Sequence, residues 1–348
     1  MSQSTYTTLR LKRLLVSFQV QTKALWIMIA LSLFLLGLMT VSLKSGTTDV
    51  SFERLVWILL GHGNSVENFS VLTLRLPRIL LGVLVGVGLA LAGAILQGMI
   101  RNPLASPDVI GVNSGASLMA VIFITLLYDR LNIHFLPLFA FAGALLVVAT
   151  LYALAWKNGV TPFRLILVGF GITAMLGAIQ TILMISSDIA RSASAYTWLT
   201  GSLHATKWYE VQIVFGWMLV LIPALIFLVS SLNLQQVSDD ITVSLGGRLQ
   251  FIRFGTIGIA ACLAGISVAF AGGIGFIGLM APHIARKLVG TSYGQLLPCA
   301  ALVGAILVVL SDWIGRTWFA PLDIAAGVFT ALIGAPFFLY LFVRMRNK

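Results

Sequence analysis

Long uncharged runs, separated by short polar clusters, dominate this 348-residue chain. A bilayer core about 30 Å thick needs roughly 20 apolar residues per spanning helix. Nine runs approach or meet that length: 24–43, 79–100, 109–127, 135–156, 165–185, 211–232, 254–270, 296–310 and 324–343. A tenth apolar piece, 275–284, is too short to span by itself. The Gly272-Gly273-Ile274-Gly275 sequence at its start predicts a broken helix. Such a break is tolerated only where protein or a water-filled cavity covers the freed backbone groups. The pattern predicts an all-α polytopic membrane protein with ten transmembrane helices. The run at 24–43 is too long for a signal-peptide core and lacks a convincing small-residue cleavage site, so it reads as the first span.

Composition agrees with that reading. The chain is 59% hydrophobic and only 9% charged, whereas soluble domains carry about a quarter charged residues. A water-soluble fold is excluded. Cys262 and Cys299 lie in apolar stretches without metal-ligand spacing and read as packing residues.

Charge also orients the spans. With the N-terminus inside, the inner side collects Arg10, Lys12, Arg13, Lys23, Arg101, Lys157, Arg164, Arg248, Arg253, Arg286, Lys287, Arg344, Arg346 and Lys348. Only Asp108, Asp239 and Asp240 oppose them there, so the whole formal net charge of +11 falls inside. Lys and Arg bias sets membrane topology, which predicts an N-in, C-in protein. The expected organisation is a cytoplasmic N-terminal segment 1–23, a single transmembrane domain 24–343, and a cytoplasmic tail 344–348. The inner loop 233–250 is patterned for one or two short surface helices. No nucleic-acid partner is needed to explain the basic balance.

Four polar groups stand out. Arg75-Leu76-Pro77-Arg78 begins the second span on the outer side, where two arginines oppose both the positive-inside trend and the helix dipole. Something anionic must compensate them: lipid phosphate, a local acid such as Glu67, or an acidic protein partner. Arg316 near Asp312 either joins the same patch or forms a local ion pair. The inner stretch Asn102-Pro103-Leu104-Ala105-Ser106-Pro107-Asp108 is a turn stiffened by two prolines. The Gly-rich segment continues through Gly278 to Pro282-His283-Ile284-Ala285-Arg286, where His283 reads as structural. The last is Asp239-Asp240-Ile241-Thr242-Val243-Ser244-Leu245-Gly246, either a solvated loop or a docking surface. No phosphate-binding Gly-x-x-x-x-Gly-Lys-Ser/Thr occurs, and no nucleophile, acid and base gather at one depth. The chain reads as a transport subunit rather than an enzyme.

In combination and order, these groups resemble the permease family of iron-siderophore, haem and vitamin B12 ABC importers, nearest the ferric-siderophore branch. The resemblance includes Trp198-Leu199-Thr200-Gly201-Ser202 and runs from about Thr40 to the C-terminus. It implies a second permease subunit, two cytoplasmic ATPases holding ATP and Mg, and a substrate-binding protein, with no cofactor on this chain. It implies residence in the inner (cytoplasmic) membrane. It matches Arg75, Arg78 and Arg316 to binding-protein docking, and Asn102, Leu104 and Thr161 to a cytoplasmic gate. Asp239, Asp240, Thr242, Ser244, Leu245 and Gly246 match the ATPase coupling loop. Pro162 beside Thr161, and Val237-Ser238 and Thr242 in the loop, depart from the family pattern. Vitamin B12 or haem is the alternative cargo. An ion-coupled secondary transporter is the rival class, disfavoured by the scarcity of intramembrane charge.

Overall fold

The structure is a computed structural model describing residues 6–11, 16–46, 50–236, 239, 244 and 248–346. Every expected apolar run contains a helix. Helix α1 covers Thr22–Lys44 and α2 covers Phe52–Leu59, capped by the Ser51 side chain. Then α3 (Ser65–Asn68), a π turn (Phe69–Arg75) and α4 (Leu76–Ile100) form one uninterrupted rod. The rod starts at a capping box between Asn64 and Glu67. Pro77 lacks the N–H a continuous helix would use, and the widened π turn just before it accommodates the defect.

A 3-10 turn at Pro107–Ile110 leads to α5 (Val112–Ile122), which widens into a π turn at Phe123–Leu127. Next come α6 (Leu136–Ala155), α7 (Pro162–Ile185), α8 (Ile189–Leu199) and α9 (Trp208–Gln235). The chain closes with α10 (Leu249–Ala271), α11 (Ile277–Val289), α12 (Tyr293–Thr317) and α13 (Ala326–Arg346). Among the described residues, eight stretches are long and apolar enough to cross a membrane, and the rod Ser65–Ile100 is one of them. The shorter ones are Val112–Leu127 and α11. Helices α2 and α8 were not expected, being too short and too polar to register as apolar runs. Ahead of α1, strands β1 (Tyr6–Leu11) and β2 (Val16–Gln21) pair antiparallel, a ribbon the search for apolar runs does not detect.

Helix α4 is the central post. It is buried over most of its length and packs against α9, α10, α11 and α12. Helices α1, α7 and α9 form the periphery, with most of their apolar surface facing outward. Lipid tails are as apolar as leucine, so hydrophobic burial does not hold such helices together. Close van der Waals approach does, and it needs small residues. A Cβ on Gly86 would strike the Gly304 carbonyl of α12, and one on Gly93 would strike the Gly278 carbonyl of α11.

The expected break is present between α10 and α11. Gly272 takes φ +70°, and a side chain there or on Gly273 would meet the Trp198 and Leu199 carbonyls at the end of α8. Protein backbone covers the gap, which explains the place of the Trp198–Ser202 group. His283 lies part-buried on α11, edge-on to the Phe337 ring, as a packing residue would.

Replacing Gly93 with Ala should cost about 1–3 kcal/mol, because the α4–α11 crossing must open. Gly216→Ala on α9, with open space around it, should leave stability unchanged or raise it. Thermal unfolding in detergent reads both; equal melting temperatures for the two variants would count against the crossing as the point of closest packing.

Candidate functional site

Side-chain chemistry gathers at the two ends of the α4 rod and in a cavity between its lower end and α7. At the first end, Arg78 is held between two carboxylates. Its Nε donates to Asp312 at 2.9 Å, while Nη1 and Nη2 donate to Asp323 at 2.7 and 2.8 Å. Asp312 is 2% exposed, so the pair is buried, and breaking it would leave an uncompensated charge. His204 Nδ1 lies 2.6 Å from Asp323, bringing the loop after α8 into the network.

Arg75 and Arg316 serve a different purpose. Arg75 Nη1 donates to the Leu43 and Lys44 carbonyls at 2.8 and 3.1 Å. Arg316 donates to the Ser45 carbonyl at 2.9 Å, to Ser42 Oγ at 2.6 Å and to the Ser42 carbonyl. These carbonyls are at the C-terminus of α1, where the last turn has no intrahelical donors and carries the negative end of the dipole. Two guanidiniums from distant helices cap it. The compensation that the sequence demanded for these arginines is therefore supplied within the chain. Neither Glu67, which pairs with Arg54 at 2.7 Å, nor an outside group is needed.

Burial works against the charge of Asp323, but the Arg78 hydrogen bonds and charge, with His204, outweigh it and hold the carboxyl at about 2.

At the opposite end, α4 terminates at Arg101, in the left-handed conformation with φ 55°. Arg101 Nη2 donates to Asp239 at 2.6 Å and its Nε to the Gln235 carbonyl at 2.8 Å. The other oxygen of Asp239 accepts from Arg253 Nη2 at 2.8 Å, and Arg253 Nη1 donates to the Val160 carbonyl at 2.7 Å. Gln250 Oε1 accepts from the Val160 N–H at 3.0 Å. Burial opposes the charge of Asp239, but Arg253 and Arg101 prevail and keep its carboxyl below the usual range.

The residues expected at the gate lie beside this clamp. Asn102 Oδ1 accepts from the Leu104 N–H at 2.9 Å, which fixes the turn. Thr161 begins α7 and accepts from Arg164 Nε at 3.1 Å. Asn102 and Leu104 line one cavity of about 570 Å³, whereas Thr161 is not in its wall. Asp108 is the one ionisable side chain in that wall. It is exposed, and its Oδ2 accepts from Ser106 Oγ at 3.4 Å. Of the coupling-loop residues, Asp239 is half-buried in the clamp and Ser244 is exposed. Asp240, Thr242, Leu245 and Gly246 lie outside the described residues. Arg101 and Arg253 were recognised from sequence only as inner positive charge, because partners 138 and 14 residues away leave no local signature. Among the described residues, no three His, Cys, Asp or Glu side chains stand close enough to hold a metal ion.

An apolar helical body with internally paired charges at each end and a cavity beside the Arg101 end is that of a polytopic membrane protein. The chain belongs to the FecCD transport family, which it matches over residues 33–344. It is 44% identical to the probable siderophore transport system permease protein YfhA of Bacillus subtilis, over 83% of this chain and 85% of that one. It is 42% identical to the achromobactin transport system permease protein CbrC of Dickeya dadantii, over 90% of both. A metal-chelate type ABC transporter solved in an inward-facing conformation superposes with TM-score 0.83 at 31% identity, covering 92% of this chain and 99% of that one. The chain is thus a permease subunit of an ABC importer and not an enzyme. FecCD permeases work with ATPase and binding-protein partners, and ATP hydrolysis lies on separate subunits.

Because Asp323 is held below its unfolded value of 3.8, its contribution to stability is fully present above about pH 4 and is lost as pH falls towards 2. Asp323→Asn should flatten acid sensitivity in that window, followed by monodispersity on size exclusion from pH 5 to 2. Superimposable profiles for both proteins would reject the assignment.

Proposed function

We propose that this chain carries a ferric siderophore across the inner (cytoplasmic) membrane, by ATP-driven alternating access, after delivery by a substrate-binding protein. On this reading ten helices span the membrane, N-in and C-in, with α5 and α11 as the short members. Segment 1–23 and tail 344–348 are cytoplasmic, and a second permease subunit completes the pathway. Loop 233–250 rests on the ATPases, which bind ATP and Mg, with contacts from Asp239, Asp240, Thr242, Ser244, Leu245 and Gly246. Similarity to siderophore permeases over most of the chain supports the cargo class.

The observation that carries the mechanism is the double clamp on Asp239. Its two oxygens are held by Arg101, one residue before Asn102, and by Arg253, whose other arm grips Val160 beside Thr161. A displacement of the coupling loop therefore pulls on both gate segments at once. Asn102, Leu104 and Thr161 close the inner end, and ATP binding shifts the population between outward- and inward-open states. The permease moves charge-bearing loops and performs no bond chemistry.

Binding-protein docking falls to the end carrying Arg75, Arg78 and Arg316. There a partner carboxylate competes with Asp312 and Asp323 for Arg78, since electrostatic complementarity governs register.

Asp239→Asn removes the charge from two hydrogen bonds worth about 1.5–3 kcal/mol each. Reconstituted with its ATPases and binding protein, the variant should lose about tenfold or more in uptake while ATP hydrolysis stays within about twofold. Coupled uptake at the wild-type rate would refute the clamp mechanism. For docking, Arg78→Glu should weaken binding-protein affinity in nanodiscs and Asp323→Asn should strengthen it. If neither moves the affinity, Arg78 has no part in docking. Titrating the binding protein with ferric siderophores, cobalamin and haem decides the cargo, and preference for cobalamin or haem would overturn the siderophore reading.

A further inference from the structure

Helix α2 is eight residues long and stands between two membrane-spanning elements, α1 and the rod that begins at Ser65. Three kinds of side chain divide its circumference. Leu55 and Ile58 are fully buried and belong to an apolar cluster with Leu35, Leu38 and Leu43 of α1, Ile79 of the rod and Ile306 of α12. Phe52, Val56 and Leu59 follow at i, i+4 and i+7, a spacing that places them on one side of a helix. All three are exposed, Phe52 at 65%. Glu53 and Arg54 occupy the remaining side, also exposed.

The buried cluster fixes the level of α2. Its α1 members lie within the last three turns of that helix, so α2 packs beside the ends of the spanning helices rather than beyond them. Both ends of α2 are tied down. The Ser51 side chain accepts from the Arg54 N–H at 3.3 Å. Arg54 Nε and Nη2 donate to Glu67, at the start of the rod, at 2.9 and 2.7 Å. Gly61, at φ +87°, turns the chain away from α2. His62, edge-on to the Trp57 ring, then stands with Asn64 and Ser65 in an exposed polar turn.

Nothing in the chain covers the stripe of Phe52, Val56 and Leu59, and an exposed apolar surface rimmed by polar residues marks contact with a protein or a membrane. Size decides between them. Eight residues give a stripe about 12 Å long, far short of the roughly 800 Å² per partner that a stable protein interface buries. Lipid is at hand, because α1, against which α2 packs, presents most of its own surface outward. We propose that α2 lies flat in the membrane–water boundary, with Phe52, Val56 and Leu59 among the outermost acyl carbons and Glu53, Arg54 and the polar turn in the hydrated headgroup layer. Interfacial helices divide their surface in this way. Trp57 shares the polar side, and tryptophans concentrate at headgroup level. Through Arg54 and Glu67 the start of the rod is held at the level of α2.

Photo-crosslinking tests this in the full-length chain, reconstituted in phosphatidylcholine nanodiscs with its ATPases and binding protein. With p-benzoylphenylalanine in place of Val56 or Leu59, lipid adducts should form at least about fivefold more often than with the same group in place of Glu53. A second readout uses a nitroxide on Val56→Cys or Glu53→Cys, in a Cys262→Ser, Cys299→Ser background. Oxygen should reach the Val56 label more readily than a water-soluble nickel chelate does, and the order should reverse at Glu53. Adducts from Val56 and Leu59 to the binding protein or to a second permease, a lipid yield no higher than at Glu53, or a Val56 label open to the nickel chelate would each overturn the proposal.

Discussion

Close approach of backbone to backbone along α4 is the constraint on which the rest of this structure depends. In lipid, apolar side chains gain little by leaving one hydrocarbon surface for another, so helices hold together through fit. Gly86 against Gly304 and Gly93 against Gly278 let α12 and α11 settle on α4 at backbone distance. Having fixed the middle, the same helix presents Arg78 at one end and Arg101 at the other, about 35 Å apart at 1.5 Å per residue. Both terminal arginines then reach carboxylates on elements far away in sequence: Asp312 and Asp323 in one case, Asp239 in the other. The post thus determines which loops meet at each surface.

The two clusters differ in what they permit. Around Arg78 the pairing is enclosed, with Asp312 sealed from solvent, and loss of one partner strands the other. Asp239 is half-open and lies beyond the end of α9, outside the long helices. A charge pair at a protein surface holds an arrangement weakly enough for it to be exchanged. The sealed Arg78–Asp312 pair suits a fixed frame, the part-exposed Asp323 leaves one arm of Arg78 open to exchange, and the half-open Asp239 suits a part that moves between two arrangements.

Much of this was legible in the sequence, and the unread part has a common cause. Uninterrupted apolar stretches located the helices because spanning length is a one-dimensional property. The Gly272–Gly275 break was equally local, although its cover by Trp198 and Leu199 was not. Helices α2 and α8 carry too few apolar residues to register, and the β1–β2 ribbon precedes the first apolar run. Arg75, Arg78 and Arg316 were singled out as charges requiring compensation, and each has partners within the chain. Arg75 turns to a row of carbonyls, which has no signature in residue types; Arg316 uses the same row and also lies 3.7 Å from Asp312, the local pair expected as one alternative, while Arg78 turns to aspartates 234 and 245 positions away. Likewise Arg101 and Arg253 looked like topological charge until Asp239 was seen between them. Asn102 and Leu104, expected at a cytoplasmic gate, line the cavity, and so does Asp108, read from sequence only as an inner acid.

The doubly capped end of α1 bears on how the protein is made. Helix α1 is synthesised before the rest of the bundle, and its last carbonyls have no guanidinium partners until later segments reach them. Arg75 arrives soon afterwards, but Arg316 is translated more than 270 positions later. This helix therefore receives its final bonds almost last, and only when the end of α12 lies beside the end of α1. Its seat is completed by the end of synthesis, which makes the joint a built-in register of whether the whole polypeptide has been threaded properly.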